Sequence, residues 1–186
     1  MWDSNFQPSH FYTAAEYAAL GVGEQQYELQ EGAFMLLPGA PPERMNAVMA
    51  LAIQLRVQEP QARFVAGAEV DLELADASAP GTVRRPDLVA VSAKAPETGL
   101  VKAADVRLVI EVVAPGSART ANVVKRREYA DAGIPHYWIL DVTSTPVSLL
   151  ACELNESGYV DNGPVTGRFT ATGPYSLTID LAALVR

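Results

Sequence analysis

Two carboxylates and a lysine have the residue types and the sequence settings of a metal-dependent hydrolytic site. Asp87 follows Pro86 at the beginning of one apolar strand pattern, Glu111 lies inside another, and Lys125 follows on a helical segment. Two carboxylates on adjacent strands can hold Mg²⁺, which keeps several waters, and the backbone carbonyl of Val112 can supply a further oxygen. A lysine nearby can orient a metal-bound water and neutralise a phosphate. The pattern therefore indicates phosphodiester hydrolysis.

Glu111 is the most informative of these residues because the residues beside it on both sides are apolar. A buried carboxylate costs several kcal/mol unless it is paired, protonated or bound to a metal. The alternative to a metal ligand is a structural ion pair with a core arginine such as Arg107 or Arg127. Asp87 has an alternative too, since an aspartate after a proline is most often a turn or a solvated strand end.

The direction of the Lys125 side chain is open from the sequence. Lys125 shares one helical face with Tyr129 and Ala132, at spacings of four and seven residues, which favours an inward position. The face that carries Val123 and Val124 is comparably apolar, and most helical lysines are solvated. Helical spacing alone therefore does not decide whether Lys125 reaches the two carboxylates.

The segment 105–141 must position Glu111 and Lys125. Its nearly continuous aliphatic run over 106–113 predicts a strand that is covered on both faces, and Pro115-Gly116 ends it. A helical segment over about 120–132 follows, and an apolar run over 136–140 returns as a second strand. Strand, helix and strand in so few residues predict a βαβ unit with parallel strands.

The rest of the chain supplies shorter elements around this unit. Thr13 and Glu16 form a capping-box pattern that predicts the start of a short helix. The remaining predicted elements are strands over 27–29 and 33–37 around a turn at Glu31-Gly32, a helix over 43–58 after Pro42, strands over 63–65, 70–74 and 83–91, a hairpin over 147–160, and a strand with a short helix over 177–185.

Composition predicts one globular domain over residues 1–186, since 49% of the residues are hydrophobic and 19% are charged. The longest apolar runs are too short to span a bilayer, so we expect no membrane insertion. No secretory signal pattern is present at the start of this sequence, and the single cysteine, Cys152, is typical of a reducing compartment. A cytoplasmic location follows as the expectation.

The net charge of −8 opposes nonspecific attraction to nucleic acid, so DNA binding requires a local basic patch. Arg119, Lys125, Arg126 and Arg127 supply one within nine residues that contain no acid. We expect arginines of this group, together with Arg84 and Arg85, to border the cleft.

The stretch 85–141 resembles the Uma2 family, a large bacterial group once classed as a domain of unknown function. The resemblance rests on RPDLV from Arg85, LVIEVVAPGS from Leu108, Lys125, YADAGIP from Tyr129 and HYWILD from His136, and TAAEY from Thr13 and YELQEG from Tyr27 fit the family's opening. The family is assigned to the PD-(D/E)XK superfamily, which implies an α/β fold of the restriction-endonuclease type, a mixed β-sheet flanked by helices.

The resemblance also implies roles for individual residues. Asp87 and Glu111 correspond to the metal ligands, and Glu28 looks like the N-terminal acid that often borders the site. The lysine of the superfamily motif has moved from the position of Val113 to Lys125 on the helix. The implied activity is that of a Mg²⁺-dependent DNA endonuclease, with Mn²⁺ as a substitute for Mg²⁺.

Two positions depart from the family pattern. The family usually has an aspartate four residues before the helical lysine, where this chain has Ala121. That aspartate caps the helix or lines the site, so its loss weakens either the helix start or the activity, and Thr120 is the residue that can replace it as a helix cap. The family often has a histidine at the start of the long N-terminal helix, where this chain has Arg44. These changes define the alternative: a catalytically degenerate nuclease-fold module with a binding or structural role. The oligomeric state is open, with a homodimer as one option.

Overall fold

A mixed β-sheet flanked by helices forms the centre of the computed structural model, which describes residues 10–20, 26–74, 78–113 and 120–185. The predicted fold class is therefore confirmed. The predicted strand end at Pro115-Gly116 and Arg119 of the predicted basic patch lie outside the described residues. The prediction of one domain over 1–186 stays a prediction.

The central sheet has seven strands, and its strand β8 (Val106–Val113) is buried at every position except Arg107. It runs parallel to β9 (His136–Asp141) and antiparallel to β6 (Leu88–Val91), so the predicted βαβ unit is confirmed. The other strands of this sheet are β3 (Arg63–Ala66) beside β6, then β10 (Ser148–Asn155) beside β9, with β11 (Gly158–Asp161) and β12 (Val165–Thr166) paired to β10.

A second sheet of five strands lies beside the central one and supplies Glu28. Its order is β2-β1-β5-β4-β7, with bounds Ala33–Leu36, Tyr27–Gln30, Val83–Arg84, Val70–Asp71 and Val101–Lys102. The predicted β1–β2 turn at Glu31-Gly32 has two positive φ angles, 48° and 79°, as in the type I′ turns that join hairpin strands. A third pair consists of β13 (Arg168–Ala171) and β14 (Leu177–Asp180).

The described residues form three α-helices, which are α1 (Ala14–Leu20), α2 (Pro42–Gln58) and α3 (Arg126–Asp131). The capping box at the start of α1 is confirmed, because Thr13 N–H donates to Glu16 Oε2 at 2.8 Å and Glu16 N–H donates to Thr13 Oγ1 at 3.2 Å. A π-helical turn, Thr120–Lys125, precedes α3, and 3₁₀ turns cover Ala103–Asp105 and Leu181–Val185. No helix within the described ranges is long and apolar enough to cross a membrane.

Both faces of β8 are buried, which explains its continuous apolar sequence. Leu108 and Ile110 face α2 and the β13–β14 pair, and their cluster includes Leu51 and Leu55 of α2. Val109 and Val113 face the opposite side, which α3 covers with Tyr129 among others. Because side chains alternate along a strand, Glu111 lies on the same side as Val109 and Val113.

The predicted strand over 83–91 is wrong in one respect, since it is interrupted at Arg85-Pro86-Asp87. Val83–Arg84 belongs to the five-stranded sheet, whereas Leu88–Val91 belongs to the central sheet. Pro86 has no N–H to donate to a strand ladder, so the chain can change sheets at this point. The consequence is that Asp87 lies at the junction of the two sheets, where its Oδ2 accepts the N–H of Val112 at 2.7 Å.

The packing of α2 on the central sheet predicts the cost of shortening a core side chain. Leu51 is fully buried in this core, so Leu51→Ala should lower the free energy of unfolding by about 2–5 kcal/mol. Ile53, on the same helix, is 61% exposed, so Ile53→Ala should leave stability unchanged or raise it slightly. Urea unfolding of the three proteins measures both effects, and equal losses in the two variants would contradict this packing.

Candidate active site

Four side chains predicted from the sequence come together at the junction of the two sheets. Glu28 lies on β1, Asp87 directly precedes β6, Glu111 lies on β8, and Lys125 is the last residue of the π-helical turn. Single π turns within helices are frequent at functional sites. The junction between sheets thus gathers residues that are far apart in the sequence.

Lys125 points inward and lies between two carboxylates. Its Nζ is 2.8 Å from Glu111 Oε1 and 2.9 Å from Glu28 Oε1, and the residue is 7% exposed. The hydroxyl of Tyr129, one turn later, donates to the same Glu111 Oε1 at 2.9 Å. The helical face with Lys125 and Tyr129 therefore points inward, and the face with the exposed Val123 points away.

Glu111 is buried, but its ionic partner is not one of the two arginines that the sequence suggested. Arg107 is exposed, and Arg127 is an exposed residue whose Nε lies 3.6 Å from Asp131. The expected alternative of an ion pair with either arginine is therefore wrong. The charge of Glu111 is balanced by Lys125 from the helical crossover and, at longer range, by Arg44.

Arg44 contacts Asp87 from the first turn of α2. Its Nε donates to Asp87 Oδ1 at 2.9 Å and its Nη2 donates to Oδ2 at 2.8 Å, a two-bond contact of guanidinium with carboxylate. The same Nη2 lies 3.9 Å from Glu111 Oε2. The two carboxylates thus share one cation, as expected for a pair of metal ligands. The cation that contacts Asp87 is Arg44, whereas Lys125 contacts Glu111.

A second set of ion pairs surrounds Glu28. Arg84 is 2% exposed, and it contacts Glu28 Oε2 through Nη1 at 2.8 Å and both carboxylate oxygens of Glu128 at 2.6 and 2.7 Å. The backbone N–H of Arg85 donates to Glu28 Oε1 at 3.0 Å. Glu28 is therefore fixed by three donors, of which the third is the ammonium of Lys125.

The predicted basic border of the cleft is wrong for Arg84, and two of the other arginines are paired with acids. Arg84 is buried between carboxylates and cannot face a solvent-borne ligand. Arg85 pairs with Glu69, and Arg126 pairs with Asp161 at 2.6 Å. These pairings offset the local positive charge that the sequence pattern predicts. The neutralising acids come from other parts of the chain, so the local sequence does not show them.

The pKa values follow from burial and from these charges. Burial raises the pKa of Glu111, and the negative charge of Asp87 adds to this, while Lys125 acts in the opposite direction. Burial alone would raise the pKa of Glu28, but Lys125 and Arg84 lower it below its usual value. Burial alone would lower the pKa of Lys125, but Glu111 and Glu28 raise it. Lys125 is thus a fully charged donor at neutral pH.

A cleft of about 860 Å³ opens beside these residues, and its lining includes Glu28, Arg44, Glu111, Val112, Ala121 and Lys125. A second cleft of about 670 Å³ is lined by Asp87, Arg85, Met45 and Met49 on the other side. Arg44 and Lys125 line both clefts. The two cationic side chains therefore border the open space together with Glu111 in the first cleft and Asp87 in the second.

The donor chemistry fits a hard divalent cation. Asp87 and Glu111 offer carboxylate oxygens to one shared cationic nitrogen, so the guanidinium of Arg44 is a stand-in for a positive ion at this place. Within the described ranges no group of three or more His, Cys, Asp or Glu side chains could hold a metal. A site with two carboxylates is still adequate for Mg²⁺, which retains waters. The carbonyl of Val112 as a third ligand stays a prediction.

Sequence reasoning missed the roles of three residues at this site. Arg44 was noted only as a departure from a family pattern, and nothing in its local sequence indicates a contact with Asp87. Tyr129 was placed on the inward face, but its hydrogen bond to Glu111 was not expected. Glu128 follows Lys125 by three residues, a helical spacing that could have suggested a shared face.

Comparisons with known proteins match this chain to one family model and to a solved structure. The model of the Uma2 family, described as "Putative restriction endonuclease", matches residues 14–168. A crystal structure described as a putative nuclease belonging to DUF820, from Anabaena variabilis ATCC 29413, matches with a TM-score of 0.70. The sequences are 13% identical, and the match covers 94% of this chain and 97% of that chain, which shows a shared fold. No curated protein matches the chain.

The burial of Arg84 predicts a large stability effect. Arg84→Met removes the charge that pairs with Glu28 and Glu128, and loss of one partner from a buried ion pair costs about 3–5 kcal/mol. Arg127→Met is the matched control, because its side chain is 85% exposed, and its unfolding midpoint should stay unchanged. Urea unfolding measures both. A midpoint for Arg84→Met equal to that of the wild type would show that this network does not stabilise the fold.

Proposed function

This chain belongs to the Uma2 family, and we propose that it is a DNA endonuclease that hydrolyses phosphodiester bonds with Mg²⁺, which Mn²⁺ can replace. One observation carries the proposal: Asp87 and Glu111 share a cation-binding position at the edge of a cleft, and the ammonium of Lys125 is fixed beside them. In this proposal Asp87, Glu111 and the carbonyl of Val112 are the metal ligands.

Each side chain has a task that its contacts support. Bound Mg²⁺ would supply a water of lowered pKa and stabilise negative charge on the phosphate. Lys125 remains protonated between Glu111 and Glu28, so it orients a nucleophilic water and offsets charge on the phosphate by electrostatic attraction. Glu28 serves catalysis in this proposal by positioning Lys125, because its Oε1 holds the Lys125 ammonium at 2.9 Å. It does so with little freedom, since Arg84 and the Arg85 N–H hold the same carboxylate.

DNA is the proposed substrate, with weak and salt-dependent binding. The chain carries a net charge of −8, and the exposed arginines of α3 are paired or partly paired with acids. Phosphate attraction therefore depends on the few cations that line the cleft, and such contacts weaken as salt rises. A cytoplasmic location is part of the proposal, and the free, buried Cys152 is consistent with a reducing compartment. A homodimer stays a prediction.

A catalytically degenerate module is the second candidate, and two observations favour it. Arg44 already occupies the position between the carboxylates with two hydrogen bonds to Asp87. Ala121, which stands where the family usually has an aspartate, is buried and lines the cleft with a methyl group instead of a further oxygen ligand. Such a chain would keep the fold and the cleft but lose the reaction.

A plasmid-nicking assay distinguishes these candidates. The wild type should nick supercoiled DNA with Mg²⁺ or Mn²⁺ and stop when EDTA is added. Lys125→Met keeps the length of the side chain and removes its charge, so nicking should fall by about 10²-fold or more, the usual effect of losing a positioned acid–base or electrostatic group. Circular dichroism confirms that the variant is folded before it is assayed.

Arg127→Met is the control for nonspecific loss of a positive charge, because Arg127 is exposed on the same helix, and its nicking rate should equal that of the wild type. Glu111→Gln should abolish nicking, since it removes a proposed metal ligand. A wild type that nicks with neither metal, at any salt concentration that permits DNA binding, would establish the degenerate module instead.

A further inference from the structure

The guanidinium of Arg44 and a divalent cation would occupy the same place. We propose that Arg44 is a tethered cation that competes with the metal for Asp87 and Glu111, so that metal binds only when the Arg44 side chain withdraws from between them. This inference rests on the proposed function in one respect, since it takes these two carboxylates as the metal ligands.

Asp87 has little capacity left for a metal while Arg44 is in place. A carboxylate offers about four lone-pair positions. Three are in use: Oδ1 accepts Arg44 Nε, and Oδ2 accepts both Arg44 Nη2 and the N–H of Val112. The Val112 bond belongs to the sheet junction and is not free to leave. A cation that binds Asp87 through more than one oxygen must therefore take positions that Arg44 holds.

Electrostatic repulsion opposes the presence of both the Arg44 guanidinium and a divalent cation at these carboxylates. Mg²⁺ sits about 2.1 Å from its carboxylate oxygens. The nitrogens of Arg44 lie 2.8 and 2.9 Å from the same oxygens of Asp87, and Nη2 also lies 3.9 Å from Glu111. A divalent ion would thus be a close neighbour of a charged guanidinium, in a site whose buried side chains weaken solvent screening. Repulsion between the two cations favours one occupant at a time.

The structure provides partners for the buried polar groups and room for the change. In the part of the chain that the structure describes, every buried side-chain nitrogen and oxygen has a hydrogen-bond partner within the protein. Arg44 is the third residue of α2, half-buried, and it lines both clefts. Rotation of its side chain into either cleft moves the guanidinium away from Asp87 while α2 keeps its packing on the core.

Binding of Mn²⁺ to the full chain tests the competition without relying on cleavage. Electron paramagnetic resonance of free Mn²⁺ gives the affinity of the wild type, Arg44→Gln and Arg56→Gln. Arg44→Gln removes the competing charge, so its Mn²⁺ affinity should rise by about tenfold or more, as expected from the coupling of close charge pairs. Arg56 lies on the same helix near its exposed end, so Arg56→Gln should bind Mn²⁺ as the wild type does.

A second measurement uses the wild type and does not depend on the folding of a variant. Without added metal the Arg44 Nε–H should donate its hydrogen bond to Asp87. Its proton should then exchange slowly with water, which is measured at the resonance of the ¹⁵N-labelled side chain. Saturating Mg²⁺ should shift that resonance and remove its protection. A resonance that stays protected while Mg²⁺ saturates the chain would overturn the proposal, because metal and Arg44 would then bind together.

The Mn²⁺ titration separates failure of this inference from failure of the proposed function. Equal affinities of the wild type and Arg44→Gln, with one ion bound to each, would overturn the competition and leave the metal-dependent nuclease standing. Absence of Mn²⁺ binding in both proteins would overturn the two proposals together. In the double variant Arg44→Gln with Glu111→Gln the gain in affinity should disappear. If the gain persists there, the ion binds elsewhere and the competition is wrong.

Discussion

The ion pairs of the buried Lys125 ammonium are the interactions on which the arrangement of this molecule depends. It joins Glu111 of the central sheet to Glu28 of the second sheet, and it comes from the helical crossover between β8 and β9. Glu28 continues the chain of charges to Arg84 and from there to Glu128 of α3. The central sheet, the second sheet and the helical crossover are thus joined by one connected network, and each charged member would be costly to bury alone.

The interruption at Arg85-Pro86-Asp87 makes this network and the candidate active site possible at the same location. The chain leaves the five-stranded sheet after Arg84 and enters the central sheet at Leu88. Arg84 therefore faces the buried network, while Asp87 faces Arg44 and the N–H of Val112. A short irregular segment positions a structural cation and a proposed metal ligand within three residues of each other.

The site thereby combines structural and chemical demands that oppose each other. Buried charges stabilise a fold only when they are paired, and in the described ranges the buried polar atoms of this network have partners within the protein. The proposed metal-dependent hydrolysis requires instead that both carboxylates be available to an added cation. Lys125 can serve both demands, because it stays charged and oriented in either case. Arg44 meets only the structural demand while it contacts Asp87. The activity of the site therefore depends on whether Arg44 leaves Asp87.

The sequence by itself determined the local elements and the acids of the site. The continuous apolar run around Glu111, the capping box at Thr13 and the turn at Glu31-Gly32 are short-range patterns, since strand periodicity, helix capping and positive φ angles depend on neighbouring residues. The strand patterns predicted Asp87 at the start of one strand and Glu111 inside a neighbouring one. Asp87 directly precedes β6, which pairs with β8.

Only the tertiary structure decided which cations these acids meet. The helical spacing around Lys125 allowed two directions, and the packing of Tyr129 against Glu111 selected one of them. Arg44 and Asp87 are 43 positions apart, and Arg84 and Glu28 are 56 apart. Long-range ion pairs leave no periodic trace in the sequence, because they depend on how sheets and helices come together rather than on the residues beside each partner.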